Sequence, residues 1–179
     1  MFARLSLVRL SAAVAAVSLL AGGAFAQQAA KPTDPQIAHI AYTAGVIDVT
    51  AAKQALSKSK NKEVVAFAED MVRDHEAVNK QAMDLVKKLK VTPEDNDTSK
   101  ALSKQAADKQ TELSKLSGAA YDKAYVANEV AYHKAVNSAL ETTLIPSASN
   151  AELKELLQTG LKIFQGHQKH AEHVATELK

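Results

Sequence analysis

Six histidines, twenty acidic side chains and no cysteine set the chemistry open to this chain of 179 residues. Without thiolates there are no disulfides, no cysteine nucleophile and no sulfur-bound metal, so any metal must be held by imidazole and carboxylate. At about 100° per residue, four ionisable groups fall in the middle of four separate apolar helical stripes. His75 lies among Val64, Ala68, Met71, Val72, Ala82, Val86 and Leu89, and His167 among Leu153, Leu156, Gly160, Phe164, Ala171 and Val174. His133 shares its stripe with Val126, Val130, Val136 and Leu140, with Glu129 one turn before it and Asp122 three turns before it. Asp48 is the single carboxylate in a stripe of small residues, Ala41, Ala44, Ala52 and Ala55.

An unpaired charge at such positions is costly, so these groups need partners. One reading makes each a hydrogen-bonded core residue. The other brings them to one transition-metal site, with His75, His133 and His167 as ligands and Asp48 or Glu129 as the fourth. Zn, Fe, Mn and Cu all accept such donors. Ligating imidazoles need an acceptor for the second ring nitrogen, and Glu129, Asp74, Asp122 and the border residue His170 are the candidates.

The elements that must position these residues read as all-α, because alanine, leucine, lysine and glutamate dominate and proline falls only at boundaries. Asp34-Pro35 predicts an N-cap and a helix to Ser57. A second helix runs from Lys62 to Lys90 and ends at Val91-Thr92-Pro93, before a polar loop from Glu94 to Ser99. A shorter connector spans Lys100 to Leu116, a long helix spans Ala119 to Leu144, and Ser149 with Glu152 predicts a capping box for the last. Short loops within each pair predict an up-down four-helix bundle with one extra connector helix. Counting from the turns at about 1.5 Å per residue places Asp48 and His75 about 6 Å apart along the axis, an offset narrowed by the lean of side chains toward each helix N-terminus. Tyr121, Tyr125 and Tyr132 read as packing and rim residues.

Residues 1–26 read as a cleaved secretory signal, with Arg4, Arg9, an apolar run from Leu10 to Ala21, and Ala24-Phe25-Ala26 before Gln27. That run is shorter than the roughly 20 residues a membrane span needs. Residues 27–34 are expected to be a disordered segment and residues 35–179 the bundle domain, in a periplasmic or secreted protein. Removing Arg4 and Arg9 from the 22 basic residues leaves 20 against 20 acidic ones. Such balance predicts no nucleic-acid partner, and the mature chain is expected not to insert stably in membrane.

The runs Val64-Val65-Ala66-Phe67-Ala68-Glu69-Asp70-Met71-Val72-Arg73-Asp74-His75 and Gly118-Ala119-Ala120-Tyr121-Asp122-Lys123-Ala124-Tyr125, with His133 and the late His167, resemble the bacterial exported family catalogued as domain of unknown function 4142. The resemblance spans essentially the whole mature chain and implies a ferritin-like bundle, with no activity attached. The family usually has glutamate where this chain has Asp48, and Leu-Pro where it has Leu161-Lys162. The Glu-x-x-His pairs of di-iron proteins are missing, since Val72, Val130 and Phe164 occupy the glutamate positions. A mononuclear histidine-rich site is therefore expected over a carboxylate-bridged di-iron centre. Two further function classes stay open: a helical interaction or stress protein whose core polar network is structural, and a hydrolytic or oxidative enzyme with an open metal position.

Overall fold

The computed structural model describes residues 31–178, so the expected signal lies outside the described residues. Helix α1 (Asp34–Lys58) is capped by Thr33, one residue earlier than expected: Thr33 Oγ1 accepts from the Gln36 amide, and the Gln36 side chain accepts from the Thr33 amide. Asp34 is thereby released for another task. Its carboxylate accepts from the backbone amides of Ser149 and Asn150 at 2.8 and 2.9 Å, tying the start of α1 to the start of the last helix.

Helix α2 (Lys62–Lys88) begins at Asn61, whose side chain accepts from the amides of Glu63 and Val64. It closes with Lys90 at φ 54° and a bond from the Val91 amide to the Val86 carbonyl, a left-handed C-terminal turn usually given to glycine. Helix α3 (Asp97–Ser114), capped by Asn96, begins three residues before the expected connector. The Glu94 amide bonds the Pro35 carbonyl near one end of α1, while Gln54 and Lys58 near the other end donate to the carbonyls of Gln110 and Ser114. Helix α3 thus runs alongside α1 in the same direction and returns the chain to the end where α1 finished.

That return decides the topology. Helix α4 (Gly118–Ala139) then runs in the same direction as α2, and α6 (Ala151–Glu177) runs back with α1. The up-down relation holds within each pair, and one long crossover joins the pairs. Helix α1 packs on α2 and α4, and α6 packs on the same two, so the four long helices enclose one core. The described residues contain helices and no strand.

The expected single helix to Leu144 is interrupted. Pro146 has no N–H and its ring would strike the carbonyl four residues earlier. Leu140–Leu144 widens into a π-helical turn, with the Ile145 amide reaching back to the Leu140 carbonyl, before the single turn α5 (Ile145–Ser147). Asn150, not Ser149, caps α6 by accepting from the Leu153 amide. Glu152 instead pairs with Lys88.

Two apolar clusters fill the bundle. The lower one, around Ala52, Phe67, Met71, Tyr121, Tyr125, Ala171 and Val174, is sealed from solvent. The upper one holds Ile37, Ile40, Leu140, Leu144, Leu153, Leu157 and Phe164. Between them lies a polar layer.

Candidate metal centre

Each long helix contributes to that layer: Asp48 from α1, His75 from α2, Glu129 and His133 from α4, His167 from α6. All five are buried, with exposures from 1% to 6%. His75 Nε2 lies 3.3 Å from Asp48 Oδ2, the meeting that the register count expected. His133 Nε2 lies 3.9 Å from the same oxygen. The three imidazole rings pack with centroids 5.2–5.8 Å apart, and Phe164 stacks on His75 at 4.5 Å.

Hydrogen bonds fix two of the three tautomers. His133 Nδ1 is 3.0 Å from the Glu129 carbonyl, which can only accept, so Nδ1 carries the proton and Nε2 keeps its lone pair. His167 Nε2 is 3.0 Å from Asp74 Oδ2. Asp74 is held below the usual carboxylate range, chiefly by its hydrogen bond from Arg73, and is ionised. His167 therefore donates from Nε2 and keeps its lone pair on Nδ1. His133 Nε2, His167 Nδ1 and both nitrogens of His75 are buried without a hydrogen-bond partner in the protein.

One nitrogen from each of His75, His133 and His167 lies within 4.8 Å of the others, and donors of Asp48, Glu129 and His133 satisfy the same limit. Metal–imidazole bonds of about 2.0–2.1 Å draw nitrogens somewhat closer, a contraction that side-chain torsions can supply. The buried lone pairs suit a metal ion, and these groups could hold one. The second grouping does not make an independent second site, because His133 has only Nε2 to give.

Electrostatics points the same way. Burial lowers the pKa of His75 to about 2 and of His133 to about 4, so both stay neutral, with a lone pair free of a proton. His167 is also lowered by burial, against the opposing pull of Asp74. Burial raises Asp48 well above its ordinary value, and Glu129 adds to the rise. Burial raises Glu129 to about 7, with the hydrogen bond from Asp48 opposing. Both carboxyls are thus pushed toward the neutral form, and a bound divalent cation would displace their protons.

Of the residues expected outside the ligands, Asp74 is hydrogen-bonded to His167. His170 stays on the rim, with Nδ1 3.7 Å from Asp70 Oδ2 and its ring edge-on to Phe67. Asp122 is buried but lies eleven residues before His133, about 16 Å along α4, and belongs to the lower end of the core. Asn137, one turn beyond His133, is not among the expected site residues; it is buried and donates to Gln168 at 3.0 Å. Its position at the apolar-stripe spacing from His133 was the signal available. Tyr121 and Tyr125 are fully buried and stacked, whereas Tyr132 alone meets the rim, donating to the Ala44 carbonyl at 3.1 Å.

These features define an all-α helical protein with a buried layer of three imidazoles and two carboxylates. The chain belongs to the family described as Domain of unknown function (DUF4142), whose match covers residues 20–174. No curated protein and no solved structure matches it.

Proposed function

We propose that this protein is exported and holds one transition-metal ion in the middle of its bundle, serving metal handling or a stress response. His75, His133 and His167 are the ligands, Asp48 completes the set, and Glu129 stands beside Asp48 as the second carboxylate. The observation that carries this reading is the group of buried imidazole nitrogens left without a protein partner beside two carboxylates. Leaving a buried acceptor unsatisfied costs about 1–3 kcal/mol, and a metal bond repays several such groups at once. Zn, Fe, Mn and Cu remain the chemical candidates. Export rests on the N-terminal pattern of Arg4, Arg9, the apolar run and Ala24-Phe25-Ala26.

A structural reading has one argument in its favour: burial drives both Asp48 and Glu129 toward the neutral form, so the layer can close without a cation. Metal analysis of the mature protein, purified without a histidine tag, separates the two. The metal reading expects about one ion per chain, absent from a His75→Ala/His133→Ala variant. No metal in either protein, with thermal stability unchanged on adding each of the four ions, leaves the structural reading.

A further inference from the structure

The polar layer is walled off on most sides by buried or hydrogen-bonded side chains. Phe164 covers the His75 ring, the sealed cluster with Met71 and Phe67 lies below, and the Tyr132 hydroxyl is tied to the Ala44 carbonyl on the α1–α4 side. The α2–α6 seam differs. There His167 forms part of the wall itself, with Nε2 on the partly exposed carboxylate of Asp74 and Nδ1 buried and unpartnered.

Outside Asp74, the guanidinium of Arg73 occupies the position an approaching cation would take. Its Nε and Nη2 reach Asp74 at 2.8 and 3.0 Å, and its Nη1 reaches Asp70 at 2.6 Å. His170 faces Asp70 from α6, one turn from the pair of His167 and Asp74. Carboxylate and imidazole donors therefore line the seam over two successive turns, and His167 joins them to the core. Arg73 is exposed on its outer side, with 65% of its side-chain surface open, so moving it disturbs no packing.

We infer that a divalent cation reaches the core along this α2–α6 seam, with Arg73 as a displaceable cover over Asp70 and Asp74, and with His167 passing the ion from the Asp74 side to the His75 and His133 side. The inference rests on the metal-binding reading and adds its route. Two steps follow from the geometry. The incoming cation replaces the guanidinium on the two carboxylates, exchanging one positive partner for another. Rotation of the His167 ring turns its unpaired Nδ1 out to the ion beside Asp74, and the return rotation carries the ion to the core and restores the Nε2–H bond to Asp74.

Uptake of Co(II) by metal-free protein, followed by visible absorption in a stopped-flow instrument, tests the route. Arg73→Gln is expected to speed uptake about tenfold at low salt, with the gain shrinking as salt screens the uncovered carboxylates. Asp70→Asn is expected to slow it. Lys104→Gln removes an equal charge from α3, where Lys104 pairs with Asp108, and is expected to change nothing. Equal rates in Arg73→Gln, Lys104→Gln and wild type, with full Co(II) binding at the end point in all three, overturn the route and leave the site standing. Absence of Co(II) binding by the wild type at equilibrium overturns both.

Discussion

Met71 and His75 sit one turn apart on α2, at 0% and 2% exposure, and their surroundings could hardly differ more. Met71 belongs to a cluster of alanines, Val64, Phe67 and Val174 in which contact with carbon satisfies the side chain. His75 faces Asp48, His133 and His167, and neither of its nitrogens has a hydrogen-bond partner in the protein. Burial stabilises the first position and burdens the second. A core that places both a turn apart keeps a sealed apolar floor beneath a layer whose buried polar groups are costly to leave unpartnered, and the floor supplies the stability the layer lacks.

Substitutions in the two regions should therefore shift stability in opposite directions. Phe67→Ala, in the floor, is expected to lower the unfolding free energy of the metal-free protein by about 3–5 kcal/mol, measured by urea denaturation. The refolded variant should still bind metal. A loss of only a few tenths would show that the floor is not the stabilising region.

The next largest effect is in pH. Glu129 is raised to about 7 from 4.5, so the folded state holds a proton that the unfolded chain releases at lower pH. This contribution to stability is complete below pH 4.5 and is lost as pH rises through 7, a change on the order of 3 kcal/mol. Glu129→Gln should therefore gain on the wild type between pH 5 and 8 in thermal melts, and saturating metal should remove the alkaline loss from the wild type. The imidazoles act in the opposite sense. His75 and His133 are lowered, so the unfolded chain takes up their protons first, and stability present above pH 6.5 drains away as pH falls toward 4 and below.

His75→Leu sharpens the contrast most directly. It removes two unsatisfied nitrogens while keeping an apolar contact for Phe164, and should stabilise the metal-free protein by about 1–3 kcal/mol while abolishing metal binding. A destabilised variant would mean that His75 is satisfied in the metal-free fold. The smallest effect belongs to neither region. Lys90 holds φ 54° at the end of α2, so Lys90→Gly should add about 1 kcal/mol, equally in metal-free and metal-bound melts.

Much of this contrast was legible in the sequence. Helical spacing put Asp48, His75, His133 and His167 on inward faces because the 3.6-residue period is a local property of the chain. Asp48 and His75 could also be matched in height, since a short turn joins their helices. Phe67 and Leu157 were harder to place: both border the apolar stripe, and packing against neighbouring helices decided that they are buried. Asp122 shows the opposite limit, a carboxylate on the correct face but at the wrong height.

The sequence by itself determined the helices, their polar centres and the absence of thiolate chemistry, because each follows from residue type and spacing along one chain. Tertiary structure decided that Asp48 meets Glu129, that Asp74 fixes His167 from outside, and that α3 runs the length of α1 so that α2 and α4 point the same way. Those outcomes depend on the relative height and direction of separate helices, which loop paths and the close approach of whole faces set, and which no periodicity encodes.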